Sequence, residues 1–219
     1  LPDILENLEA AICDLAAAQG VAEGSARVTL LRGPGPRGIL PPRQSTPTLM
    51  VAVYVGVVGN AEPIRVIVAQ STRRNARSPL SQIKNTNYLD AILARQEADS
   101  AGCDDAVMLN TSDAVAEATG ANIFCVIGGE IVTPPLSDGA LPGITRARIM
   151  VPEAVVERTL GVDDLYRAEE IFLTSQCAPS DRDRWSCGGC EKGGPGRDAS
   201  GRYAAPGHIN SAYAGECTV

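Results

Sequence analysis

SQIKNTNYLDAILARQEADSAG, residues 81–102, is where the chain leaves a strand-like rhythm for a helical one. From Asn87 to Ala101 the apolar positions Leu89, Ile92, Leu93 and Ala98 recur at helical spacing, and Gly102 supplies a stop. On either side lie short β-rich runs. ARVTLLR (26–32), TLMVAVYV (48–55) and IRVIVAQ (64–70) precede the helix; DAVMLN, NIFCVI and EIVT follow it. Gly128-Gly129 joins the last two as a hairpin turn. Strands in runs interrupted by single helices predict an α+β fold.

Further out, residues 3–19 place Leu5, Leu8, Ile12 and Leu15 on one helical face, with Gly20 at the C′ position. GPGPRGILPP (33–42) reads as a rigid loop. GITRARIMVPEAVVERTLG (143–161) predicts a helix that Pro152 kinks or splits, and EEIFLTS (169–175) one more strand. After Ser175 periodicity vanishes, and the Gly-, Arg-, Asp- and Ser-rich remainder holds four of the seven cysteines.

The 219 residues are 44% hydrophobic with a net charge of −7, which argues against a nucleic-acid binder. No apolar run reaches transmembrane length. Cys13, Cys103 and Cys125 sit singly in apolar segments and are expected to be buried thiols, as in a reducing cytoplasm. The single histidine, His208, excludes a His-based triad or multi-His metal site in the body. In the tail, Cys187-x-x-Cys190 with Cys177 and His208 or Cys217 is a weak zinc signal, and the expected metal content is none. The chain opens Leu-Pro rather than Met, as a piece lacking its start would.

Of 19 Lys and Arg residues only two are lysines, Lys84 and Lys192. A lysine is ordinarily a solvated surface group. A chain that otherwise uses arginine has nevertheless kept an amine at Lys84, and an amine can lose its proton and form a Schiff base where a guanidinium cannot. Its place before the helix, with Asn85 or Thr86 as a cap, puts it near the positive end of the dipole. Glu117, in VAEATGANIF (115–124), is either an exposed strand-edge glutamate or a carboxylate held against a buried cation such as a protonated ring nitrogen. In TPPLSDGALPGITRARIM (133–150), Gly143 leads into the amides of Ile144 and Thr145, the start of a helix of the kind that cradles phosphate.

A Schiff-base lysine, a carboxylate for a pyridinium and a phosphate cradle are the parts a pyridoxal phosphate enzyme needs. The motifs IKNTNYL, DDAVMLNTSDAVAEATGANIF, IVTPP and GALPGITR resemble the class IV (fold-type IV) pyridoxal-phosphate family. That family includes branched-chain and D-amino-acid aminotransferases and 4-amino-4-deoxychorismate lyase. The likeness runs from about residue 27 to 174 and is dense over 73–146. It implies a pseudo-barrel domain over 26–175, preceded at 1–25 by a remnant of a mostly absent small N-terminal domain. Residues 176–219 do not look like the family. Back-translating DRDRWSCGG (181–189) and reading one base along permits a family-like pattern, so a frameshifted or disordered tail is expected.

Carried over by residue, the resemblance implies that Lys84 forms the Schiff base with pyridoxal 5′-phosphate and shuttles the α-proton. Glu117 pairs with the pyridine nitrogen, Leu141 packs on the ring, and the amides of Ile144 and Thr145 hold the phosphate. Tyr88 lies near the position of a tyrosine that approaches the ring hydroxyl, and Asn122 supports the loop carrying Glu117. LRGPGPRGILPP resembles the specificity loop, in which Arg37 would hold a substrate carboxylate. The histidine that follows two residues later in D-amino-acid enzymes is Ile39 here, which argues against that substrate class. The expected activity is transfer of an amino group between a branched-chain or small amino acid and a 2-oxo acid. The alternatives are pyruvate elimination by the lyase, toward which the Arg32–Gly38 pattern and RNARSPLSQIK (74–84) lean, and a non-catalytic remnant. A cytoplasmic homodimer is implied, with small-molecule partners and neither nucleic acid nor membrane.

Overall fold

The structure, a computed structural model, describes residues 6–56, 63–151 and 154–175 and the backbone of 207–209. The chain divides into two compact units at residues 58/59. In the first unit α1 (Leu8–Ala18) precedes β1 (Gly24–Leu31) and β2 (Thr48–Val55). The two strands pair antiparallel from Gly24↔Val55 to Leu31↔Thr48. Helix α1 ends as its sequence predicts: Gly20 has φ +67°, and its amide and that of Val21 donate to Ala17 and Ala16 carbonyls at 3.1 and 2.9 Å. Residues 3–5 of the predicted helix lie outside the described residues. Cys13 is exposed, not buried as expected. It follows Ile12 and so turns about 100° off the half-buried stripe of Leu8, Ile12 and Leu15.

The second unit runs β3 (Ile64–Val68), a 3₁₀ turn (Pro79–Gln82), α2 (Leu89–Ser100), β4 (Asp105–Leu109), β5 (Val115–Ala118), β6 (Asn122–Ile127) and β7 (Glu130–Thr133). A second 3₁₀ turn (Leu136–Asp138) leads to α3 (Ile144–Met150), β8 (Val155–Glu157), α4 (Val162–Arg167), β9 (Glu170–Thr174) and β10 (Gly207–Ile209). Two four-stranded mixed sheets result, in the orders β10-β3-β4-β5 and β8-β7-β6-β9. Helix α2 is the crossover between β3 and β4, which are parallel; β7 and β8 are parallel across α3. The expected α+β class is what the chain adopts.

Alternation along β4 explains the packing. Val107 and Leu109 enter a core with Val66, Val115, Ile123, Cys125, Val132 and Leu173, drawn from both sheets. Ala106 and Met108 face the other way, against Ala94 and Ala98 of α2 with Ala69 and Cys103. The helix therefore meets the sheet through alanines. Leu89, Ile92 and Leu93, predicted to share the buried face with Ala98, are 61%, 50% and 41% exposed. The helical period was right and the face was not, because small side chains let α2 lie closer to β4 than leucines would. Phe124 and Phe172, cross-strand partners on β6 and β9, stack at 5.0 Å and are almost fully buried.

Val115–Ala118, the segment that carries Glu117, is a strand paired with β4. Two other expectations change. The helix predicted over 143–161 ends at Met150, and Val155–Glu157 is extended, as β-branched Val155 and Val156 favour. Pro152 lies outside the described residues. Of the tail, residues 207–209 form a strand antiparallel to β3; its proposed cysteine ligands lie outside the described residues. Both hairpin glycines have positive φ, +62° and +79°, as the predicted two-residue turn needs. Among the described residues no helix is long and apolar enough to cross a membrane.

Candidate active site

Glu117 is the buried charge around which the second unit's polar groups gather. It stands on β5 opposite Met108, just before the register shift between Met108 and Leu109, and is 8% exposed. That excludes the solvated strand-edge glutamate. Its Oε2 accepts the Leu141 amide at 2.9 Å, and its Oε1 lies 3.0 Å from Arg74 Nη2. Burial pushes its carboxyl above the usual range. Arg74, the Leu141 amide and Lys84 each pull the other way, and burial wins.

Arg74 was not singled out by sequence. Its side chain also donates to the carbonyls of Gly139, from Nε and Nη2, and of Ser81, from Nη2, each at 3.3 Å. Its backbone is fixed where β3 continues alongside β4: its amide donates to the Leu109 carbonyl and its carbonyl accepts from Thr111. Asn110 escaped notice too. Its side-chain oxygen accepts the amides of Ser112 and Ala114, shaping the β4–β5 turn, while its amide group donates to the Asp138 carbonyl at 3.1 Å. The signal for both was their position, an Arg at the head of RNARSPLSQIK and an Asn closing DAVMLN, but neither stood out in composition.

Lys84 leaves the first 3₁₀ turn in exposed backbone, five residues before α2. Its Nζ donates to the Tyr88 hydroxyl at 2.6 Å and sits 5.3 Å from the Tyr88 ring centroid. The predicted pair of Lys84 and Tyr88 is thus brought together. The predicted helix cap is not made. Tyr88 occupies the N-cap position without a side-chain bond to the helix, and Asn85 folds back instead, donating to the carbonyls of Leu80 and Ile83 and accepting the Asn87 amide. An Asx turn has displaced the cap, since its side chain finds partners before the helix begins.

The third part is the loop between β7 and α3. Gly139 has φ +96°, and a Cβ there would stand 3.2 Å from Ala76 Cα, so conformation and space both call for glycine. Gly143 is different. Its φ of −68° suits any residue, but a Cβ would fall 2.2 Å from Asn122 Oδ1. Asn122 donates from Nδ2 to the Leu141 carbonyl at 2.8 Å. It therefore supports the loop of Leu141, and only through the Leu141 amide the carboxylate of Glu117. In the first turn of α3 Ile144 is 60% exposed while Thr145 is buried. Arg146 is buried as well and donates to the Pro134 carbonyl at 3.1 Å and to Glu157 at 2.6 Å. Arg37 belongs to the first unit, exposed on the β1–β2 loop.

The donor set suits a pyridoxal phosphate. A buried carboxylate whose charge is under-compensated is stabilised by a further cation or shared proton, which a ring nitrogen provides. Lys84 acts electrostatically on that carboxylate and offers a primary amine with a phenol at its side. The Leu141 loop stands at the same carboxylate, and Gly143 makes room for the Asn122 amide that ties it.

Comparison with known proteins identifies the family. The chain is 36% identical over 131 residues to "Branched-chain-amino-acid aminotransferase" of Pseudomonas aeruginosa, covering 57% of this chain and 42% of that one. It spans about half the length of the curated relatives it matches. Among solved structures it is similar to "Putative 4-amino-4-deoxychorismate lyase" from Legionella pneumophila, with TM-score 0.68 and 33% identity over 73% of this chain and 60% of that chain. It is similar too to a branched-chain aminotransferase from the thermophilic archaeon Thermoproteus uzoniensis, solved with norvaline, with TM-score 0.69 and 32% identity over 78% and 60%. The family model described as Amino-transferase class IV matches residues 1–178, and the chain belongs to that family.

Proposed function

We propose that the protein binds pyridoxal 5′-phosphate and transfers an amino group between a branched-chain or small amino acid and a 2-oxo acid. The observation that carries this reading is the buried Glu117, bonded to the Leu141 amide and within electrostatic reach of Lys84. When bound, the coenzyme supplies an electron sink for the carbanion left at the substrate α-carbon. Lys84 moves the proton at that carbon as general base and acid. Tyr88, hydrogen-bonded to Nζ, orients the amine from one side and leaves its remaining directions open to the substrate. Glu117 holds a proton at the ring nitrogen. Leu141 offers an apolar side chain to the ring face, its backbone pinned by Glu117 on the amide and by Asn122 on the carbonyl. The amides of Ile144 and Thr145 are assigned to the phosphate, and Arg37 to the substrate carboxylate. The homodimer and the reducing compartment implied by the sequence belong to this proposal, the latter supported by the buried thiols of Cys103 and Cys125.

The test is spectroscopic. Full-length protein incubated with pyridoxal phosphate should acquire a protein-bound visible band that Lys84→Ala lacks. Absence of that band in folded wild-type protein would favour the non-catalytic alternative. A second reading, pyruvate elimination from aminodeoxychorismate, is favoured by the likeness to the Legionella pneumophila protein. Parallel assays separate the two. Glutamate formed from a branched-chain amino acid plus 2-oxoglutarate supports the transaminase; pyruvate release from aminodeoxychorismate without glutamate formation sinks it.

A further inference from the structure

We infer that Arg74 is a positioning residue for the candidate site, one guanidinium that fixes Glu117, the Lys84 segment and the Leu141 loop together. The inference rests on the cofactor reading above. Its geometric basis is the set of three attachments already described: Glu117 Oε1 at 3.0 Å, the Ser81 carbonyl three residues before Lys84, and the Gly139 carbonyl two residues before Leu141. A planar fork of donors can serve three acceptors at once, where a lysine offers a point charge. With its main chain tied to Leu109 and Thr111, the guanidinium is aimed by β-ladder geometry rather than by a mobile loop.

The electrostatics follow from what faces Glu117. Arg74 comes from the segment after β3 and Lys84 from the segment before α2; Met108, opposite on β4, is apolar, and the Leu141 loop contributes an amide. Arg74 is the cation in direct contact. A carboxylate buried to this degree without it would hold a proton more tightly and would be freer to turn away from a charged ring nitrogen. Arg74 thus offsets part of the burial penalty and keeps the carboxylate pointed, while the two carbonyl contacts keep the amine-bearing and ring-facing segments in step with it.

The experiment uses full-length, cofactor-free protein labelled at glutamate carboxyls, with Glu117 assigned by loss of its signal in Glu117→Gln. The Glu117 titration midpoint should move upward in Arg74→Gln and Arg74→Met and stay near the wild-type value in Arg74→Lys. A midpoint unmoved in the neutral variants would overturn the inference. Should those variants not fold, the wild-type protein still decides: the Arg74 guanidinium nitrogen signals should shift with the same midpoint as the Glu117 carboxyl, and independence of the two would refute it. The same samples are then given pyridoxal phosphate. Coupled titration without a visible band would sink the cofactor reading and leave the hold of Arg74 on Glu117 intact. A band with uncoupled titration would do the reverse.

Discussion

The contact between Gly143 and Asn122 offers a test of the loop geometry that needs no cofactor. In Gly143→Ala the backbone conformation is unobjectionable, so any cost is steric. The new Cβ meets Asn122 Oδ1 at 2.2 Å, and the amide must swing away, giving up its 2.8 Å bond to the Leu141 carbonyl. Overpacking a closed site costs about 1–3 kcal/mol, and the lost hydrogen bond adds about 1 kcal/mol. The expected total is about 2–4 kcal/mol. Asn122→Ala should cost less, about 1–2 kcal/mol, because the Leu141 carbonyl keeps the Gly143 amide as a partner at 2.8 Å. In the double variant the clash has no second party. Its stability should match that of Asn122→Ala alone, so the coupling equals the whole Gly143→Ala cost, about 2–4 kcal/mol, well outside the additive range of about 0.5 kcal/mol. Urea unfolding of the four proteins, with unchanged m-values, measures this cycle. Additive single-variant costs would refute the reasoning, and with it the account of why glycine precedes α3.

Two carboxylates should show opposite pH dependence. Burial raises the Glu117 carboxyl above its unfolded value despite Arg74, so the stability it contributes is full below the unfolded pKa and is lost as pH rises through the folded one. Relative to Glu117→Gln, the cofactor-free wild type should become less stable across that rise in urea-unfolding series. At Glu97, partial burial acts upward, but hydrogen bonds from Ser71 and Gln70 and the charge of Arg73 outweigh it and hold the carboxyl low. Its contribution is present above the unfolded pKa and disappears on acidification, so the wild type should lose stability relative to Glu97→Gln as pH falls through the folded value. Burial, with Asp164 nearby, pushes the Cys125 thiol up to about 12. Peptide-mapped alkylation of native protein at neutral pH should therefore mark exposed Cys13 and spare Cys125 until the chain unfolds.

Strong local grammar was legible in the chain. The Gly128-Gly129 turn, the Gly20 helix stop and most strands follow from φ preferences and β-branched runs that need no tertiary partner. Lys84 was visible because composition made it conspicuous, and Glu117 because a lone acid among alanines is hard to leave in a core. What could not be read was direction. Arg73 and Arg74 are neighbours of identical chemistry, yet Arg73 pairs with Asp113 and nearby loop carbonyls while Arg74 reaches Glu117. Only the end of β3 decides which of the two faces inward. The face of α2 failed for a related reason: alanines and leucines repeat with one period, and the closeness of the sheet selects between them. Asn85 had two local options, cap or Asx turn, separated by too little energy for sequence to rank.

The two ends of the candidate site belong to parts of the molecule with different opening costs. Glu117 rides on a strand that is buried throughout, its neighbours Val115 and Ala118 tied by their amides to Leu160 and Ala121. Lys84 rides on exposed backbone stitched by Asn85. Amide exchange at Val115 and Ala118 should then report the rupture of the whole unit, whereas residues around Lys84 should exchange through small local excursions. An incoming ligand would meet a fixed acidic wall and an amine that adjusts to it, so the slow step of loading would be set on the lysine side.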